Sequence, residues 1–181
     1  MKKKILLVDD EQFIVEVVSI ALGGNARYEL LVADDGARAV EAAHRDQPDL
    51  ILMDIDMPVM DGLEACRSIK GDPSTNAIPV VMLTAMAQSR DTQAAFDAGA
   101  DEYITKPFSP SGLMKKIEEM LSTVYSVGEE VRLKDGRVGT IKRRIKMEKS
   151  HDQTYGYHVA VETGTTSTVS ADEIESLNRA A

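Results

Sequence analysis

The chain has a single cysteine and no tryptophan, and aromatic residues fill only 4% of its 181 positions. One thiol cannot close an intramolecular disulfide, so a reducing compartment is expected. That thiol, Cys66, lies in Leu63-Glu64-Ala65-Cys66-Arg67, the opening turns of an expected helix, with no histidine near it in sequence. It reads as a packing residue rather than a nucleophile. With so few rings, the core has to come from aliphatic residues, alanine and methionine. Long apolar runs are missing as well, and none approaches membrane-spanning length. Met1-Lys2-Lys3-Lys4 imitates the start of a secretory signal, but the apolar stretch Ile5–Val8 behind it is too short and ends in two aspartates. A cytoplasmic protein with no membrane partner is expected.

Positive charge is scarce in one part only. Of 21 Lys+Arg and 30 Asp+Glu, nine of each lie from Tyr125 onward, so the first 124 residues carry the whole net charge of −9. Such an acidic surface does not suit nonspecific nucleic-acid binding there. The C-terminal part is neutral but holds a basic run, Lys142-Arg143-Arg144-Ile145-Lys146.

What is present in residues 1–124 is an alternation. Short apolar runs recur at Ile5–Val8, Leu30–Ala33, Leu50–Met53, Pro79–Leu83 and Tyr103–Ile104. Each is too short for a typical helix and suits a strand buried on both faces. Helical spacing fills the intervals: Phe13–Leu22 before Gly23-Gly24, Ala37–His44, Leu63–Ile69, Ala87–Ala98 before Gly99, and Leu113–Val124. Five strand-helix repeats imply a parallel sheet with helices on both faces, because parallel strands need crossovers. In such sheets the ligand site lies beyond the carboxyl ends of the strands.

Those ends carry the chemistry. Asp9-Asp10 follow the first strand, Asp54 the third, Thr84 the fourth and Lys106 the fifth. Three clustered carboxylates repel one another unless a cation joins them. Oxygen ligands without histidine or cysteine favour Mg²⁺. A carboxylate beside such an ion and a lysine suits phosphoryl transfer.

Four motifs make this specific: Leu6-Leu7-Val8-Asp9-Asp10-Glu11, Ile51-Leu52-Met53-Asp54-Ile55-Asp56-Met57-Pro58 with Met60-Asp61-Gly62, Val81-Met82-Leu83-Thr84-Ala85, and Tyr103-Ile104-Thr105-Lys106-Pro107-Phe108. In order and spacing they resemble the receiver domain of two-component response regulators, over about two thirds of the chain. The resemblance implies a flavodoxin-like (βα)5 doubly wound parallel sheet. It implies Asp54 as phospho-acceptor, Asp10 and Asp54 as carboxylate ligands of Mg²⁺, Asp9 acting through water and Asp56 through its backbone carbonyl. It further implies Thr84 bonding a phosphoryl oxygen, Lys106 pairing with that group or with Asp54, and a cis peptide at Lys106-Pro107. Tyr103 would swing inward when Thr84 moves, and the surface of the fourth helix, fifth strand and fifth helix would report the change, including through a homodimer. The donor would be a sensor histidine kinase or phosphotransfer protein. Met86, two residues after Thr84, gives a hydrolytic water no hydrogen bond, so slow autodephosphorylation is expected. The protein would be a signalling switch and not a turnover enzyme.

Two other readings compete with this one. The domain as a degenerate receiver would be a constitutive protein-binding scaffold. Asp54-Ile55-Asp56 also imitates the nucleophile motif of haloacid-dehalogenase-type phosphatases, but Met57-Pro58 follows it and the first strand already carries its own acidic pair. Asp61 reads as a helix cap.

From Tyr125 the pattern turns to β. Val131 and Leu133 alternate, Asp135-Gly136 signals a hairpin, and Val138–Met147 reads as a longer strand. Tyr155, Tyr157, Val159 and Val161 alternate with other residues, and Thr165–Val169 is β-branched. Ser170 with Glu173 suits a capped turn. Residues 125–181 therefore read as a small all-β module resembling SH3-like barrels, an output or interaction domain. Its candidate surface is Lys142, Arg143, Arg144 and Lys146, with Tyr155 or Tyr157 available for stacking. The neutral charge of the module weighs toward a protein partner over nucleic acid. No helix-turn-helix, cyclic-dinucleotide motif or metal pattern around His151 and His158 is found.

Overall fold

The computed structural model describes residues 2–23, 25–85, 89–121, 125, 127–149, 152–161, 164–170 and 173–176; for 89–92, 143–149, 152–156, 158 and 175–176 it describes the backbone alone. The elements run β1 (Lys3–Val8), α1 (Gln12–Leu22), β2 (Tyr28–Ala33), α2 (Gly36–Asp46), β3 (Leu50–Asp54), α3 (Gly62–Gly71), β4 (Val80–Thr84), α4 (Ser89–Asp97), β5 (Glu102–Thr105) and α5 (Pro110–Leu121). Then follow β6 (Glu130–Leu133), β7 (Val138–Lys149), β8 (Asp152–Val161), β9 (Thr166–Ser170) and β10 (Ile174–Ser176). They form two compact units, Met1–Ser122 and Thr123–Ala181.

The first unit is a parallel sheet in the order β2-β1-β3-β4-β5, the flavodoxin-like arrangement. Side chains alternate across it. Leu6, Val8, Ile51, Met53, Val80 and Met82 join one buried cluster with Ala39, Ala43, Ala65, Cys66, Ile69 and Ala95 of the helices. Ile5, Leu7, Leu50, Leu52, Val81 and Leu83 are fully buried on the opposite face. Cys66 is fully buried, as its place in α3 suggested. The apolar runs of β2 and β5 are less buried than expected. They are edge strands with one neighbour each, and all four residues of β5 are half-buried.

Helix ends follow their capping chemistry. The Asp35 carboxylate accepts the Arg38 N–H at the start of α2. Asp61 accepts the Glu64 N–H at 2.7 Å at the start of α3, which is the capping role read from the sequence. Pro110 opens α5 a turn earlier than Leu113, at a position whose N–H would have no helical partner. Leu113, Ile117 and Leu121 of that helix are buried. In α1 the buried stripe is Ile14, Val18 and Leu22. Phe13, counted with that stripe in the sequence pattern, is instead 69% exposed.

The second unit is an antiparallel sheet in the order β10-β6-β7-β8-β9. The last strand returns to pair with the first, Ile174 opposite Leu133, as in a small SH3-like barrel. Val131, Leu133, Ile141, Tyr157, Val159, Val161, Val169 and Ile174 alternate inward around Tyr125. The expected hairpin turn is present, with Gly136 at φ 89°, a conformation that glycine adopts without strain. The Ser170 N–H and hydroxyl both donate to the Glu173 carboxylate at 2.8 Å, closing the corner before β10.

Candidate functional site

β1 and β3 lie side by side, and β1 also pairs with β2, so the chain order reverses at β1. Doubly wound sheets open a crevice at that point, beyond the carboxyl ends of the strands. The register supplies its contents. Val8 lies opposite Met53, so Asp9 and Asp54 end neighbouring strands. Asp54 pairs with Leu83, and Thr84 with Thr105, which brings β4 and the start of the β5–α5 turn to the same edge.

Carboxylate oxygens of Asp9, Asp10 and Asp54, one from each, lie within 4.8 Å of one another. Asp9 and Asp54 are buried and Asp10 is exposed. The Lys106 ammonium donates to Asp9 Oδ2 at 2.8 Å, lies 2.7 Å from Asp54 Oδ1, and approaches Glu11 at 3.4 Å. One cation therefore serves two buried carboxylates. The Glu11 N–H donates to Asp9 Oδ1 at 2.9 Å and holds that side chain in place. Burial pushes the Asp54 carboxyl above its ordinary value, Lys106 opposes this, and the charges of Asp9 and Asp56 reinforce it. Burial works against the Lys106 ammonium, but its bonds to Asp54 and Asp9 outweigh burial and push it up to about 12. The lysine is thus a fixed positive charge. The donors at this edge are all carboxylate oxygens, and an oxygen-only set that includes an exposed Asp10 fits a hard cation such as Mg²⁺ that keeps part of its water.

Thr84 is buried at the end of β4, and its carbonyl accepts the Lys106 N–H at 2.7 Å. The Lys106-Pro107 peptide is cis. Asp56 is exposed, two residues beyond Asp54. Tyr103 is half-buried, packed against the core and edge-on to Phe96 at 5.9 Å. A cleft of about 550 Å³ opens beside Asp9 and Asp10, bounded by Val15 of α1 and by Arg38 and Arg45 of α2. Lys142 is exposed on β7 in the other unit. Arg143, Arg144 and Lys146 continue that strand, but their side chains lie outside the described ones, and Met86 lies outside the described residues.

Three contributors escaped the sequence reading. Glu11 stands in the first acidic motif, but its reach toward Lys106 depends on the fold. Phe96 faces Tyr103 from α4, with no spacing rule connecting them. Gly62 packs so closely on the end of β3 that a Cβ there would sit 1.9 Å from the Asp54 carbonyl oxygen. Its N–H donates to the Ile55 carbonyl at 2.9 Å, so the loop after Asp54 is folded back tightly.

A parallel five-strand unit with a lysine-bridged acidic crevice defines a receiver-type signalling domain. The family of response regulator receiver domains matches residues 5–118, and the chain belongs to that family. It is similar to the DNA-binding dual master transcriptional regulator RpaA of Synechocystis sp., 41% identical over 124 residues, or 68% of this chain and 48% of that protein. It is 36% identical over 121 residues to the DNA-binding response regulator MtrA of Mycobacterium tuberculosis, covering 67% of this chain and 51% of MtrA. The chain spans about half the length of these curated relatives, which are signalling proteins. Among solved structures, the chemotaxis response regulator CheY4 of Vibrio cholerae matches with a TM-score of 0.62 and 33% identity, over 67% of this chain and 100% of that one. The receiver domain of sensor histidine kinase PA1611 from Pseudomonas aeruginosa matches with a TM-score of 0.60 and 33% identity, over 67% and 99%, and carries a magnesium ion in its active site cleft. No helix among the described residues is long and apolar enough to cross a membrane.

Proposed function

We propose that this protein is a cytoplasmic response regulator in which residues 1–124 form the receiver and residues 125–181 an output or interaction domain. Asp54 is the phospho-acceptor. The observation that carries this reading is the Lys106 ammonium held between Asp54 and Asp9 at 2.7 and 2.8 Å.

An oxygen of Asp54 attacks the phosphorus of a phosphohistidine on a sensor kinase or phosphotransfer protein. The P–N bond breaks, the imidazole leaves with the electron pair, and an acyl phosphate forms on Asp54. Lys106, cationic across the physiological range, stays beside the acceptor and offsets the new phosphoryl charge. The Thr84 hydroxyl bonds a phosphoryl oxygen, and its displacement gives Tyr103 room to turn inward. Asp9, Asp10 and Asp54, with the backbone carbonyl of Asp56, would hold Mg²⁺, which supplies further positive charge against the phosphoryl oxygens. The face of α4, β5 and α5 then meets a partner or a second copy. Such a switch needs to shift a two-state population by only a few kcal/mol.

The test is labelling by phosphoramidate, a P–N donor, with and without Mg²⁺. Hydroxylamine-labile phosphate should appear on the wild type with Mg²⁺, and should fall sharply in chelator and in Asp10→Ala. Equal labelling in all three would overturn the metal assignment.

A further inference from the structure

Glu11 occupies the N-cap of α1 but its side chain does not cap it. Its backbone is extended, at φ −83° and ψ 108°, and its carbonyl accepts the N–H groups of Ile14 and Val15 at 2.9 and 3.2 Å. Its carboxylate makes no bond to the N–H groups of the first turn. The side chains preferred at this position are the shorter Ser, Thr, Asp and Asn, which reach those groups. The Glu11 carboxylate instead reaches Lys106, at 3.4 Å.

Residue 11 is thereby tied to Asp9 twice. Its N–H donates to Asp9 Oδ1 at 2.9 Å, and its side chain meets the ammonium that bonds Asp9 Oδ2 at 2.8 Å. The three N–H donors of Lys106 face three carboxylates: Asp54 at 2.7 Å, Asp9 at 2.8 Å and Glu11 at 3.4 Å. These partners are not equal. The side chains of Asp9 and Asp54 are 0% and 8% exposed, whereas that of Glu11 is 61% exposed and one methylene longer. Charge-assisted bonds of this kind settle near about 2.8 Å, so the Glu11 contact has room to tighten.

Asp9 and Asp54 answer to two claims. Lys106 bonds an oxygen of each, and both belong to the carboxylate cluster with Asp10. A cation joining that cluster competes with the ammonium for the same two side chains and repels it. Of the three carboxylates on the lysine, only Glu11 lies outside the cluster and is free to follow the ammonium. We propose that Glu11 is a positioning residue for Lys106: it keeps hold of the ammonium when Asp9 and Asp54 turn to a divalent cation, and so raises the affinity of the crevice for that ion. With glutamine at position 11, the lysine has Asp9 and Asp54 alone and competes for them more strongly. This inference rests on the reading of Asp9, Asp10 and Asp54 as the Mg²⁺ ligands.

The experiment titrates the ¹⁵N-labelled full chain with MgCl₂ at a constant ionic strength of about 150 mM, where exposed charges more than about 8 Å apart are screened. Backbone amide shifts of residues 9–11 and 54 report binding with no phosphodonor present. Glu11→Gln is expected to weaken Mg²⁺ binding about threefold to fivefold, the size of an exposed ion pair, with the amide spectrum of β2 to β5 otherwise unchanged. Lys106→Met is expected to bind Mg²⁺ more tightly than the wild type, and adding Glu11→Gln to it should change the affinity no further. Equal affinity of the wild type and Glu11→Gln would overturn the proposal. So would an equal loss in the Lys106→Met background, because Glu11 would then act on the ion directly. A wild type that binds no Mg²⁺ would overturn the metal reading itself and this inference with it.

Discussion

Lys106, from the turn after β5, places its ammonium 2.7 Å from Asp54 Oδ1 at the end of β3. Asp9 shares the same ammonium at 2.8 Å. Removing this cation leaves two buried carboxylates facing each other. Lys106→Met is expected to lose about 3 kcal/mol of stability, because breaking a buried pair strands its charge. Urea unfolding in chelator measures this. A variant as stable as the wild type would show that the pair is not what holds the crevice together.

The ionisation of Asp54 sets a pH dependence. Burial, with Asp9 and Asp56, raises its carboxyl above 3.8 in the folded protein in spite of Lys106. A raised folded value means that the folded chain holds the proton more tightly. The stabilisation is present below 3.8 and is lost as pH rises through the folded value. At neutral pH the ionised Asp54 is therefore a cost in metal-free protein. Asp54→Asn should unfold at higher urea than the wild type in chelator, with the gap narrowing as pH falls toward 3.8. A variant less stable at neutral pH would contradict this.

Gly62 is required by space. A Cβ would sit 1.9 Å from the Asp54 carbonyl oxygen and 2.9 Å from its carbon, and both are backbone atoms that cannot swing aside. Gly62→Ala should cost about 3 kcal/mol, at the upper end for overpacking. It should also impair Asp54 phosphorylation, because the loop carrying Asp56 has to move. A melting temperature within a degree or so of the wild type would show that the loop relaxes freely.

In the second unit the Tyr125 N–H donates to the Tyr157 hydroxyl at 3.0 Å, and the two rings meet edge to face at 5.3 Å. Tyr157 is fully buried. Tyr157→Phe keeps the packing and leaves the N–H without its acceptor, a loss of about 1–3 kcal/mol. Amide hydrogen exchange should show faster opening across β6 to β9, with protection of β1 to β4 unchanged. Unchanged protection in both would mean that the hydroxyl contributes nothing.

The parallel sheet and its crevice were legible in the sequence for a physical reason. Strands such as Leu50–Met53 are buried on both faces and read as unbroken apolar runs, and the residues ending them line one edge whatever the helices do. Thus the sequence alone puts Asp9, Asp10, Asp54, Thr84 and Lys106 at one edge. Edge strands carry no such mark, so the apolar runs of β2 and β5 overstate their burial. Phe13 fits a helical apolar stripe and still faces outward, because periodicity fixes a direction only to within a turn. The approach of Gly62 to Asp54 and the meeting of Phe96 with Tyr103 are tertiary, and no local spacing encodes them. In the barrel, alternation found Tyr157, Val159 and Val161. The register irregularity between Ile141 and Arg143 depends on the partner strand.

The most direct test of the central claim is intact-protein mass after incubation with acetyl phosphate and Mg²⁺, comparing wild type with Asp54→Ala. Addition of one phosphoryl group to the wild type and none to the variant is the predicted result. Equal addition to both would contradict Asp54 as the acceptor, and none to the wild type with any small phosphodonor would leave the domain a fixed protein-binding scaffold.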